Sequence, residues 1–308
     1  MTELPRPDGS VQARSTESQQ GAPSERFQFG GRNLLVSTSV GIGIVGVIVA
    51  TLLWAQWGFV VFAALFLALG VRELVIVMLS QSAKPLGAIL LLATPTLFIG
   101  TYAVGQRYSG LSHPLAALLG GLCFTTVALL SWRLLGPVDN YTTDLAKAVL
   151  ILGYVPLLGS SIVLMLLGTH PMARVMMTLL CVVASDTGAF LVGVLAGRRP
   201  GGNHKMAPRI SPAKSWEGFA GGVLLSAVVG LIIGVMAFKE PWWEGMLIGT
   251  ALALAAVLGD LVESMVKRSH GIKDMGHLIP GHGGAMDRLD SVLLAAPVGW
   301  ALMYLLIR

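Results

Sequence analysis

Residues 259–290, GDLVESMVKRSHGIKDMGHLIPGHGGAMDRLD, gather acids, bases and glycines in a chain that is otherwise almost all hydrocarbon. These 32 residues hold five carboxylates (Asp260, Glu263, Asp274, Asp287, Asp290), four fixed cations (Lys267, Arg268, Lys273, Arg288) and three histidines (His270, His277, His282). Acids that can hold a divalent cation, beside cations that can hold phosphate oxygens, are what phosphoryl or nucleotidyl transfer needs. Asp260, Glu263, Ser264 and Lys267 recur at i, i+3, i+4 and i+7, so they share one helical face. That face can line a polar cavity, or an internal Asp-to-Lys pair can order a helical bundle. Asp287 and Asp290, three apart at the start of the next helix, can converge on one cation with Arg288 pointing elsewhere. Capping of the helix dipole by acids in a first turn is the alternative. His282, flanked by Gly281, Gly283 and Gly284, suits a loop ligand or donor in a close backbone turn.

A second polar cluster covers residues 185–218, SDTGAFLVGVLAGRRPGGNHKMAPRISPAKSWEG. Its glycines and prolines let backbone approach a ligand, and Arg198, Arg199, Lys205, Arg209 and Lys214 supply positive charge. Ser211 followed by Pro212 reads as a helix N-cap with proline in the first turn, whose free N–H groups would face an anion. Read alone, the segment is equally a positively charged loop before a capped helix. Asp186 falls well inside an apolar run, where an acid is costly unless paired, solvated or metal-bound. Arg72 and Glu73 also fall within such a run, with no motif around them, and read as a mutual or interhelical salt bridge. His113, His170, Asp139 and Asp144 read as ordinary loop or cap residues.

The elements that position these residues are membrane helices. With 54% hydrophobic and 12% charged residues and a mean hydropathy of +0.75, the 308-residue chain cannot be a soluble globule, where about 25% charged is usual. Nine apolar runs, each enough for a hydrocarbon layer of roughly 30 Å, cover about 34–53, 58–79, 86–104, 114–135, 146–167, 172–196, 218–238, 245–266 and 289–307. They are helices, because hydrocarbon leaves no water for backbone groups and the alternation of a membrane barrel is absent. The fold class is therefore all-α, a polytopic bundle of about nine transmembrane helices. Residues 1–33, polar and without a periodic apolar face, read as a disordered cytoplasmic tail before a single transmembrane catalytic domain at 34–308. With no small-residue cleavage site behind a short apolar core, the first run is expected to be a retained span.

Nine spans put sixteen Lys and Arg on one side and four on the other, so the first side is expected to be cytoplasmic. Nine of the sixteen lie in the two polar clusters, and without them the bias is seven against four. The pairs Trp54 with Trp57 and Trp242 with Trp243 fall at the opposite interface, as anchors do. The net charge of +5 suits anionic lipid surfaces, and nucleic acid is not an expected partner. Cys123 and Cys181 read as small buried hydrophobes. A homodimer is admitted, the sequence fixing no oligomeric state. An ion-coupled transporter would spread charges through several spans, yet spans one, three and seven have none.

The string SMVKRSHGIKDMGHLIPGHGGAMDRLD, residues 264–290, closely resembles the signature of the phosphatidate cytidylyltransferases (CDP-diacylglycerol synthases), SxxKRxxxxKDxGxxxPGHGGxxDRxD. Upstream, SDTGAF and SPAKSWEG look like that family's DTGA and SPxKTxEG elements, so the resemblance covers 185–291, while the first half matches only in hydropathy. Ser215 stands where Thr is commoner, and Ala285 where a branched aliphatic is usual; neither removes a chemical group. The resemblance implies transfer of CMP from CTP to phosphatidate with Mg²⁺, giving CDP-diacylglycerol and pyrophosphate, at an inner (plasma) membrane with the site facing the cytoplasm. A phosphomonoester is largely dianionic at neutral pH, so no strong general base is needed. On this reading Asp260, Asp287 and Asp290, with Asp186, surround the metal. Lys267, Arg268, Lys273, Asp274, His282 and Arg288 are the catalytic set around the phosphates. Arg198, Lys205, Ser211, Lys214 and Ser264 bind substrate, and the lipid enters sideways with its acyl chains in hydrocarbon. A CTP-dependent polyprenol kinase would share membrane, metal and nucleotide, but its alcohol acceptor needs a base.

Overall fold

The computed structural model describes residues 34–197, 204–276 and 283–307, without the side chains of residues 34–40 and 42. The expected tail at 1–33, together with Arg198 and His282, lies outside the described residues. The apolar runs form helices α1 (Leu34–Trp54), α2 (Gln56–Met78), α3 (Lys84–Arg107) and α4 (Ser112–Leu134). α5 (Tyr141–Leu152) continues through a π-turn at Gly153–Leu157, which absorbs Pro156, toward α6 (Ser161–Leu166). Then come α7 (Pro171–Gly197), α8 (Trp216–Ile233) with a terminal π-turn at Gly234–Phe238, α9 (Trp242–Ser269) and α10 (Met286–Leu306). Among the described residues, eight helical segments are long and apolar enough to cross a membrane; they correspond to the second through ninth expected spans. α1, of 21 residues, corresponds to the first. The fifth expected span begins earlier than its hydropathy suggests, at Tyr141, because polar residues fill its first turn. Trp54, Trp57, Trp242 and Trp243 are all exposed at helix ends, as interface anchors would be.

α7 to α10 form consecutive antiparallel neighbours, and small residues explain how closely they pack. Gly218, Gly222, Ser226, Gly230 and Gly234 recur every fourth residue along α8 and its π-turn. A Cβ at Gly222 would lie 2.6 Å from the Ser185 carbonyl oxygen of α7, and one at Gly234 would lie 2.8 Å from Gly245 Cα of α9. Without a hydrophobic drive between helices in lipid, such close backbone approach supplies the association. Ser226 Oγ adds a 2.7 Å hydrogen bond to the Gly249 carbonyl. On α9, Gly259 lies directly against the Asp290 backbone of α10. α10 also packs on α2, α6 and α7, and one buried core, including Leu67, Phe98, Met177, Leu252 and Leu293, runs through both halves of the chain.

α9 stops where its polar face ends. Gly271 is left-handed (φ +69°), Gly271 N–H donates to the Arg268 carbonyl and Ile272 N–H to the Lys267 carbonyl, a Schellman closure that turns the chain back across the bundle end. Between α7 and α8, β1 (Lys205–Ala207) and β2 (Ser211–Ser215) pair antiparallel as a short hairpin that the helical reading does not contain.

Two expectations need correction here. Cys123 is exposed, because it lies on the outward face of α4, a helix packed mainly on α3; only Cys181 is buried. Asp144 is no ordinary cap residue: it is 2% exposed and faces Arg133, 3% exposed, at 3.4 Å. Ser80 Oγ donates to the same carboxylate at 3.1 Å, and Arg133 also donates to the Pro137 and Asp139 carbonyls, so one network joins the ends of α2, α4 and α5. Breaking a buried pair leaves a bare charge at about 3–5 kcal/mol, so Arg133→Met is expected to lower the melting temperature in detergent by on the order of 10 °C. Lys84→Met, at an exposed position, should leave the melting temperature unchanged, and equal melting of the two variants would show the pair to be irrelevant to stability.

Candidate active site

The face expected on α9 forms as its spacing requires. Ser264 Oγ donates to Asp260 Oδ1 at 3.2 Å, and one turn on Lys267 Nζ lies 3.0 Å from Glu263 Oε2. Lys267 also reaches α10, at 2.9 Å from Asp287 Oδ1. Lys214, at the end of β2, places its Nζ 2.7 Å from Asp260 Oδ2, so the hairpin is tied to α9 by an ion pair. Asp186, on α7, opens onto the same space, within electrostatic reach of Asp260 and Asp290, with Lys214 and Arg288 as countercharges. Side chains from α7, β2, α9 and α10 thus meet at one end of the bundle.

Asp287 and Asp290, expected to converge, serve different neighbours. Asp287 Oδ2 accepts from Gly284 N–H at 2.8 Å and Met275 N–H at 3.1 Å while Oδ1 takes Lys267, so this carboxylate fastens the segment before α10. Both backbone donors lie before α10, so these bonds hold the incoming segment and do not cap the helix. Asp290 turns inward, beside Glu263 and near Asp260. Glu263 is fully buried, and its Oε1 has no hydrogen-bond partner among the described residues. Sequence reasoning placed Glu263 on the polar face without giving it a site role. It also passed over Tyr154, from the π-turn after α5, whose buried hydroxyl is likewise without a partner and lies within electrostatic reach of Glu263, Asp290 and Asp260. A π-turn inside a helix often marks a functional position; proline at 156 was the available signal.

Among the described residues no group of three or more His, Cys, Asp or Glu is arranged to hold a metal. That arrangement still suits Mg²⁺, which takes one or two carboxylates and draws its other ligands from phosphate and water. Glu263 and Asp290 lie side by side on α9 and α10, and Glu263 Oε1 has no hydrogen-bond partner among the described residues, so carboxyl oxygens remain open to a cation. The residues present fit a divalent cation.

Other expected residues are placed as follows. The helix N-cap is not Ser211 but Ser215, whose Oγ accepts from Gly218 N–H at 3.2 Å. Ser211 and Pro212 instead start β2, where proline loses nothing because a two-stranded sheet has open edges. Arg268 donates to the Ile210 and Ile272 carbonyls, clasping the hairpin to the end of α9. Lys205, Lys273 and Arg288 are exposed, and Asp274 is half-buried. Gly283 is left-handed (φ +82°), the close turn expected beside His282. Glu73 does not use Arg72: its carboxylate accepts from Ala285 N–H at 3.0 Å and Met286 N–H at 2.8 Å.

A cleft of about 670 Å³ opens between α7, α8, α9 and the hairpin. Asp186, Ser211, Lys214 and Asp260 supply its polar lining, and Phe190, Val194, Phe219 and Val257 part of its apolar lining. It can take a molecule with an anionic head and a hydrocarbon body. Residues 36–306 match the cytidylyltransferase family. The chain belongs to that family. It is similar to the phosphatidate cytidylyltransferase of Mycobacterium leprae, 38% identical over 292 residues, 90% of this chain and 89% of the relative. The Mycobacterium bovis phosphatidate cytidylyltransferase is 34% identical over 299 residues, 92% of each chain. That of Helicobacter pylori is 44% identical over 128 residues, 42% of this chain and 46% of the relative. The cytidylyltransferase match is much longer than the 185–291 segment that carries the signature, and takes in the helices of the first half. The protein is a membrane-embedded nucleotidyltransferase.

Proposed function

We infer that this cytidylyltransferase transfers CMP from CTP to phosphatidate, forming CDP-diacylglycerol and pyrophosphate. The observation that carries the reading is the mixed lining of the cleft, two acids and a lysine beside apolar and aromatic side chains; the names of the relatives matched over most of the chain agree with it. A phosphatidate phosphate oxygen attacks the α-phosphorus of CTP, the new P–O–P bond forms and the bond to the β-phosphate breaks. The attacking phosphate is largely ionised at neutral pH, so the protein's task is in-line positioning and charge neutralisation. Lys214 and Lys267 hold phosphate oxygens as point charges, releasing part of their hold on Asp260 and Asp287. Asp260 and Asp290, with Asp186 and Glu263 at hand, would hold Mg²⁺; Asp287 would join them by surrendering Lys267. When bound, the cation neutralises charge on the leaving pyrophosphate and polarises the α-phosphate. Purified protein given phosphatidate, Mg²⁺ and each nucleoside triphosphate in turn should yield a CMP-bearing lipid from CTP; a lipid product without CMP would reject the assignment.

We further propose that the site faces the cytoplasm of an inner (plasma) membrane, a reading supported by the Lys and Arg excess on its side. In a variant lacking Cys123 and Cys181, an impermeant maleimide applied to intact cells should leave a cysteine at Lys205 unlabelled and react with one placed after Arg308. The reverse pattern would put the site out of reach of cytosolic CTP.

A further inference from the structure

Glu73 is an acid in the middle of the apolar first half, 2% exposed, far in sequence from every motif residue. Its two carboxylate oxygens each take one of two successive N–H groups, Ala285 at 3.0 Å and Met286 at 2.8 Å, where α10 begins. Free N–H groups at a helix N-terminus form an anion site, and here an acid of the chain fills it. Two glycines of the signature segment are explained by the same side chain. A Cβ at Gly276 would lie 2.5 Å from Glu73 Oε1, and one at Gly284 would collide with Oε2. The segment thus clasped ends at Met286, immediately before Asp287, which itself holds Gly284 and Met275, and four residues before Asp290.

We propose that Glu73 is a positioning residue of the transfer site: its carboxylate, reaching from α2, fixes the start of α10 and so aims Asp287 at Lys267 and Asp290 at the cation-binding space. It touches neither substrate nor metal. It also keeps substrate phosphate off the N-terminus of α10, directing phosphate to Lys214 and Lys267. This rests on the reading of the site as a CMP-transfer centre. Displacements of about 1 Å in such a site cost on the order of 100-fold in rate, so Glu73→Gln, which faces an amide NH₂ toward one of the two donors, should lower kcat by about that factor. KM for phosphatidate should stay within about twofold, and the Mg²⁺ concentration for half-maximal rate should rise, because misaimed ligands weaken cation binding.

The test combines these kinetics with amide hydrogen exchange of residues 283–290. Loss of protection at Ala285 and Met286 in E73Q, with the rest of α10 still protected, is expected. Gly284→Ala should reproduce the phenotype, and the double variant should lose little more than the worse single variant, since both break one contact. If E73Q fails to fold, Glu73→Asp, which keeps the charge and shortens the reach, should be folded with lowered kcat and the same KM split. Wild-type turnover with unchanged exchange in E73Q, or a loss of activity no greater than the loss of folded protein, would overturn the proposal. A wild-type protein that makes no CMP-lipid would instead sink the transfer reading, while the exchange data would still report whether Glu73 holds α10.

Discussion

Replacing Asp290 by Asn is expected to lower turnover by at least about 100-fold while the protein still folds and inserts. Asn keeps the shape of the side chain, and its amide carbonyl can still accept the Ser291 N–H that Asp290 Oδ1 receives at 2.6 Å. What disappears is the negative charge beside Glu263 and Asp260, the charge that would draw a divalent cation into the end of the bundle. Asp260→Asn should fall by a comparable factor, with the added loss of the Lys214 ion pair at 2.7 Å. Rates measured over a Mg²⁺ titration decide the matter. A variant near wild-type at all Mg²⁺ concentrations would remove that residue from cation binding.

Lys267→Met should be the most damaging single change, because Lys267 is shared by two acids on two helices. Its ammonium is 3.0 Å from Glu263, which is 0% exposed, and 2.9 Å from Asp287. Removing it leaves the buried Glu263 carboxyl without its hydrogen-bond partner, at a cost of about 1–3 kcal/mol, and takes a point charge from the phosphates. Both stability and turnover should drop, turnover by more than about 100-fold. Glu263→Gln added to Lys267→Met separates the two effects: the melting temperature should recover much of its loss while activity stays low. Recovery of both would show that Lys267 serves only to neutralise Glu263.

The membrane helices and the polar face of α9 are legible in the sequence for the same reason: each follows from a local periodicity. Asp260, Glu263, Ser264 and Lys267 repeat at helical spacing, and their contacts within α9 follow from that spacing alone. What is not legible is partner choice across the fold. Glu73 has an arginine next to it in sequence, yet its partners are two backbone N–H groups more than two hundred residues away, and nothing local encodes that. Asp287 and Asp290 look equivalent by spacing, but the turn through Gly283 and Gly284 brings backbone donors to the first and leaves the second facing Glu263. Ser211–Pro212 fits a helix start and an edge strand equally well, and pairing with Lys205–Ala207 decides for the strand. Asp144 looks like a first-turn cap until the α4 end brings Arg133 over it.

The central claim, CMP transfer to a lipid phosphate, is tested most directly by following two labels of CTP in one reaction. Purified protein in detergent with phosphatidate and Mg²⁺, given CTP labelled at the α-phosphate or at the γ-phosphate, should carry only the α label into lipid, with the γ label leaving as pyrophosphate. Lipid that gains the γ label and excludes the α label would identify a kinase-type transfer and contradict the account.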